Sequence, residues 1–288
     1  MSSKFTNKVS LMRAVKQIEN LPTLPTVVTQ ILTALENPKT SAEQVNRIIV
    51  TDQALTAKVL KLVNSAFFGF PREITSVTHA VVVLGFSTVR NVAITASVFS
   101  SLPGKGRATF DREAFWRHSI GVGVISRLVA RLCKASDAED AFVAGLLHDI
   151  GKVIMDEHFH DLFLECLSTA RREHASLLDT EMRLLDTGHH RVGYWLADRW
   201  NLPRVLVEAV GFHHDPAAAP HHPQMAAIVP VADALCRIQK IGYSGEEASP
   251  SIRKEVFEIL PLKPEQLAQV VPLIEPEMSK AEILLELR

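Results

Sequence analysis

Leu146-Leu147-His148-Asp149-Ile150-Gly151-Lys152 is the stretch around which the chain is organised. An imidazole and a carboxylate stand side by side at the end of Ala141 to Leu147, a run without a polar residue. The pair is therefore expected in the interior, on a helix opened by a Ser136/Glu139 capping box. A buried carboxylate needs a partner, and a metal ion is one candidate. Lys152 follows His148 by four positions, one helical turn, with small residues (Ala144, Gly145) nearby to leave room for a ligand. It reads as a point charge for a phosphate oxygen or as a helix-end lysine facing water.

Outward from this stretch, apolar residues recur at spacings of three and four. Val28, Ile31, Leu32 and Leu35 form one stripe. Leu55, Val59 and Val63 form another, and Phe115, Val122, Ile125 and Val129 a third. Ser41 with Gln44 reads as a capping box, and Asp52 and Ser176 as helix caps. Gly85 separates two apolar helices, and Pro203 suits the first turn of a helix that stops at His213-His214. The predicted fold is all-α. Ser101 to Arg107 is the best internal boundary. It divides a helical half, 15–103, from a second helical half, 108–240. Gly242 to Pro250 reads as a linker to two short helices within 251–288, a C-terminal extension.

Composition narrows the function. The 288 residues are 47% hydrophobic and only 6% aromatic, ample for a helical core. A net charge of -1 gives no general attraction to nucleic acid or anionic membrane. No apolar run suits a bilayer span, and the first residues lack a signal-peptide pattern. Cys133, Cys166 and Cys236 are isolated and read as buried thiols. A cytoplasmic protein is expected.

The twelve histidines include three adjacent pairs. His118 lies on the apolar stripe of its helix, and His213 continues the Leu206, Val210 stripe. Asp149 continues that of Phe142 and Leu146. His189 shares a face with Val192 and Leu196, and Asp233 sits among Val229, Val231 and Ala234. A single polar group at such a position is usually bonded to backbone. Several on successive helices must converge on something that satisfies them together. Imidazole and carboxylate donors without thiolate suit divalent iron, manganese, nickel, magnesium or zinc, as one ion or two. Asp149 is the natural bridge, since a carboxylate offers two oxygens. Paired ions roughly 3.5–4 Å apart activate water and clamp a phosphoryl group. His158, His160, His174, His221 and His222 lie in polar or loop contexts and read as surface groups.

His118, then His148-Asp149, then Asp233 resemble the ordered metal ligands of the HD phosphohydrolases. Leu146 to Lys152 is similar to the HDxGK stretch of the HD-GYP branch. In that branch a further set of histidines holds a second metal, and His189, His213 and His214 match it in order. His190 neighbours His189; spacing to Gly193, as in the family pattern, favours His189, with Glu181 as a candidate outer ligand. The closer resemblance is to the HDOD family. It is carried by Leu21-Pro-Thr-Leu-Pro25, Asp52-Gln-Ala-Leu-Thr-Ala-Lys-Val-Leu60, Val63-Asn-Ser-Ala66, Ala80-Val-Val-Val-Leu-Gly85 and Trp200-Asn-Leu-Pro203 followed by His213-His214. Together these cover roughly residues 15–240. The resemblance implies a signalling or regulatory protein with a signalling protein partner or a small phosphorylated ligand. The retained residues imply a metal site, and with it the alternative of a metal-dependent phosphohydrolase or phosphodiesterase using Asp149 and Lys152 in catalysis. The GYP segment of the cyclic-di-GMP phosphodiesterases is absent after His214, so that activity is not implied.

Overall fold

The computed structural model describes residues 11–18, 20–102, 110–135 and 137–287. No strand occurs among them, and no described helix is long and apolar enough to cross a membrane. The first half holds α1 (Leu11–Lys16), α2 (Thr26–Leu35), α3 (Ala42–Ile49), α4 (Gln53–Val63), α5 (Val77–Leu84) and α6 (Phe86–Ser101). Local chemistry sets these ends. Ser41 and Gln44 form the capping box of α3, and Asp52 accepts from Leu55 N at 2.9 Å to start α4. Gly85, at φ +83°, is the junction between α5 and α6. Helix α1 has no counterpart in the sequence reading. Most of the predicted boundary loop, Pro103 to Arg107, lies outside the described residues.

The second half is built on α7 (Arg112–Leu132), most of whose residues are buried. Against it lie α8 (Ala138–Leu147) and α14 (Pro223–Ile238), which runs through Pro230. Between them come α9 (Ile150–His158), α10 (His160–Glu173), α11 (Leu177–Leu185), α12 (His189–Arg199) and α13 (Arg204–Phe212). Helix α6 packs on α8, which joins the two halves in one core. The chain ends in α15 (Lys254–Ile259) and α16 (Val271–Ala281), with short 3-10 turns at 264–269 and 282–287.

Four local expectations change. Ser136 lies outside the described residues, and Asp137 caps α8, accepting from Glu139 N at 3.0 Å and Asp140 N at 3.1 Å. The helix predicted to carry His148-Asp149 stops at Leu147, and the pair occupies the break before α9. Pro203 precedes α13 as its N-cap and is not in its first turn. Gly242 to Pro250 is no free linker, because it is fastened across the second half.

Candidate metal centre

The break between α8 and α9 is what presents the two central groups. Asp149 has φ -99° and ψ 12°, and its side chain makes no capping bond to α9. The carboxylate is therefore available to the interior. The turn fits because residue 151 is glycine: a Cβ there would lie 2.0 Å from His189 O and 2.8 Å from Gly193 N. Helices α9 and α12 meet backbone to backbone at this point, which brings His189 beside Asp149.

His148 and His213 are positioned by one shared device. Each is the residue that closes its helix, α8 or α13. The last carbonyls of a helix lack intrahelical partners. His148 Nδ1 lies 2.7 Å from Gly145 O, and His213 Nδ1 lies 2.8 Å from Val210 O, three residues back in each case. A carbonyl can only accept, so Nδ1 carries the proton and Nε2 keeps its lone pair, aimed past the helix end. His189 is oriented differently. Its Nδ1 lies 2.7 Å from the Glu181 carboxylate, which also accepts from His189 N at 2.9 Å.

These imidazoles form two groups around one carboxylate. His118, His148 and Asp233 offer ligand atoms within 4.8 Å of one another, and so do His189, His213 and His214. Asp149 stands between them. Its Oδ2 is 3.3 Å from His148 Nε2, and its Oδ1 is 3.1 Å from His189 Nε2 and 3.9 Å from His213 Nε2. His118 Nε2 lies 3.1 Å from Asp233 Oδ1 across the α7–α14 contact, and His189 Nε2 lies 2.9 Å from His214 Nε2. His190 belongs to neither group.

Whether the site suits a metal is tested by its unsatisfied atoms. The Nε2 atoms of His118, His148 and His213 are buried and make no hydrogen bond, despite the nearby carboxylates. An unpaired buried polar atom costs about 1–3 kcal/mol. Three in one cluster, beside the carboxylates of Asp149 and Asp233, fit a divalent cation. Outer partners that fix the imidazole tautomer are the usual support of metal-binding histidine. Cys236 Sγ lies 3.6 Å from His118 Nδ1. Burial and then Asp233 push that thiol well above its usual range, so it adds no thiolate to the donor set.

The electrostatics follow from crowding. Burial opposes the charge of Asp149, but His148 and Lys152 hold its carboxyl well below the usual range. Asp233 is drawn down to about 2, because contact with His118 outweighs burial. Burial and neighbouring imidazoles hold His213 and His214 well below the ordinary histidine value. His189 goes the other way: burial pulls it down, but Glu181 and Asp149 push it up to about 9. Lys152 is buried, with Nζ 2.6 Å from Asp149 Oδ2 and 3.2 Å from Ser244 O. In the chain as it stands the ammonium is paired with the central carboxylate.

Beside the cluster opens a cavity of about 270 Å³, lined by His148, Asp149, Lys152, His213, His214 and Asp233 among others. Sequence reasoning gave Glu181 an outer-ligand role; the structure puts it behind His189, bonded to Nδ1. The wall formed by Ser244 to Arg253 was missed, since nothing in a Gly/Ser/Glu segment signals distant contacts. His160, expected at the surface, has its Nδ1 2.8 Å from the buried Asp156 carboxylate, which also pairs with Arg112.

The family model of the HDOD domain matches residues 21–216. The chain is similar to an HDOD domain protein of unknown function from Geobacter sulfurreducens, 27% identical, with 96% of each chain covered and a TM-score of 0.78. A candidate phosphohydrolase from Shewanella amazonensis SB2B shares the fold at a TM-score of 0.74 and 24% identity, over 97% of this chain and 100% of that one. An uncharacterized protein of Treponema pallidum (strain Nichols) is 30% identical over 218 residues, 72% of this chain. The chain covers 40% of that relative's length.

Proposed function

Since the chain belongs to the HDOD family, we propose that it is a regulatory, signal-transducing protein built around a retained metal centre for one or two divalent ions. One observation carries this reading: the Nε2 atoms of His148, His189 and His213 gather around the single carboxylate of Asp149. His118, His148 and Asp233 would hold one ion, His189, His213 and His214 a second, with Asp149 between them. The nitrogen and oxygen donor set suits iron, manganese, nickel, magnesium or zinc. We assign the protein to the cytoplasm, in keeping with its three free, buried cysteines. Its partner in this reading is a signalling protein or a small phosphorylated ligand.

The cavity beside both groups favours a second reading, a metal-dependent phosphohydrolase or phosphodiesterase. A bound divalent ion supplies positive charge to a phosphoryl oxygen. The protein's own part is to hold Asp149 ionised through Lys152 and to fix a proton on Nδ1 of His148, His213 and His189 through Gly145 O, Val210 O and Glu181, so that Nε2 is the atom turned to the site. Elemental analysis of the purified protein tests the metal reading: one or two equivalents are expected, lost in His148→Ala and Asp149→Ala. A chain that refuses added iron and manganese would overturn it. Turnover of phosphomonoesters, nucleotides or cyclic dinucleotides by the loaded protein would then favour the enzyme over the regulator.

A further inference from the structure

The segment from Gly242 to Arg253 lies beyond the residues matched by the family model, yet it builds one wall of the cavity. It is fastened at successive points. Gly242, at φ +63°, presses so closely on α7 that a Cβ would stand 2.3 Å from Ala114 O and from His118 N. Tyr243 N donates to Ala114 O at 2.9 Å, and Ser244 O accepts from Lys152 at 3.2 Å. Glu246 accepts from Leu177 N at 3.0 Å at the start of α11. Glu247 pairs with Arg171 at 2.9 Å, and Arg237 donates to Ala248 O. The strap thus touches α7, α9, α10, α11 and α14. Its last residues, Ser249, Ser251 and Arg253, face the cavity.

The charges inside are unevenly committed. Lys152 is paired with Asp149, Arg237 lies 3.8 Å from Asp233, and Glu246 accepts two backbone N–H groups. Among the described residues the side chain of Arg253, an exposed residue, has no ion-pair or hydrogen-bond partner, and it makes none with Asp179 on the same wall. Arg253 also stands at the mouth. Together with Leu178 and His214 it borders both this cavity and an outer groove floored by Tyr194, Trp195 and Phe212. The cavity's 270 Å³ falls below the range of about 300–1,000 Å³ that houses drug-sized ligands.

We infer that the strap makes this cavity a site for one small phosphomonoester and that Arg253 is its specificity-determining residue, closing on the phosphoryl group at the mouth. A guanidinium fork matches the paired oxygens of phosphate. A cyclic dinucleotide would outgrow the inner cavity and have to extend past Arg253 into the outer groove. This inference rests on the metal-centre reading for the inner pole of the site.

The test is calorimetric titration of the full chain with inorganic phosphate and, separately, with a cyclic dinucleotide, after the metal content of each sample has been measured. Phosphate should bind the wild-type protein and bind Arg253→Ala about tenfold more weakly, the loss expected for one charge-assisted pair. Arg253→Lys should recover part of the loss, and the metal content and melting temperature of both variants should equal those of the wild type. The cyclic dinucleotide should give no binding heat. Equal phosphate affinity in Arg253→Ala, absence of phosphate binding by the wild type, or binding of the dinucleotide as tight as that of phosphate would each overturn the inference. A wild-type chain without metal that still loses phosphate affinity on R253A would sink the metal centre and leave Arg253 standing.

Discussion

Glu181 holds His189 by two bonds from one oxygen: Oε2 accepts from the backbone N–H at 2.9 Å and from the ring Nδ1 at 2.7 Å. The carboxylate is fully buried, so the ring has neither another rotamer nor another tautomer within reach. Removing an outer partner of this kind typically lowers metal affinity about 10–100-fold. Glu181→Ala should show that loss in competition titrations with a chelator, with helix content unchanged by circular dichroism. Unchanged affinity would mean that His189 is not a ligand.

The metal-free protein should be most stable near neutral pH, losing stability on both sides for different reasons. His213 and His214 are held neutral in the fold, well below their ordinary value of 6.5, by burial first. The unfolded chain therefore takes up more protons, and stability falls as pH drops through about 6.5. His189 is raised from 6.5 to about 9, so its contribution is complete below 6.5 and is lost as pH rises through about 9. Melting temperatures across this range should trace a dome. His213→Gln should flatten the acid side, and a flat profile below neutrality in the wild type would contradict the assignment.

Gly151→Ala should separate α9 from α12. The added methyl would meet the His189 carbonyl at 2.0 Å, and backbone cannot swing aside as a side chain can. Overpacking of a core typically costs about 1–3 kcal/mol, and this contact belongs at the upper end. Urea denaturation should show the loss, and metal content should fall with it because His189 moves. A variant as stable as the wild type would show that the helices have room to part.

Much of this was legible in the sequence. The 3.6-residue period placed His118, Asp149, His189, His213 and Asp233 on apolar stripes, and a stripe determines which face a group shares. It does not determine the partner on the next helix. Gly145 lies inside α8 without ending it, and no Gly or Pro stands at residues 146 to 150, so the stop at Leu147 was invisible. The turn after it lies against α12, a contact formed by residues far apart in the chain. The strap was hidden for the same reason, since its bonds reach Ala114, Lys152 and Leu177. Ser136 and Asp137 are both good caps, and only the fold chooses between them.

Lys152 separates the charge balance of the empty protein from that of the loaded one. Its Nζ lies 2.6 Å from Asp149 Oδ2, with both groups nearly inaccessible to water. Lys152→Ala leaves a buried carboxylate with only imidazoles beside it. Breaking one side of a buried pair typically costs about 3–5 kcal/mol. A divalent ion at Asp149 would offset most of that loss. The expected result is a large drop in melting temperature for the metal-free variant and a much smaller one once manganese or iron is added. Equal drops with and without metal would mean that no cation reaches Asp149, which would remove the bridge from the proposed centre. Equal stability of variant and wild type without metal would instead mean that Asp149 is already neutral, contrary to its lowered pKa.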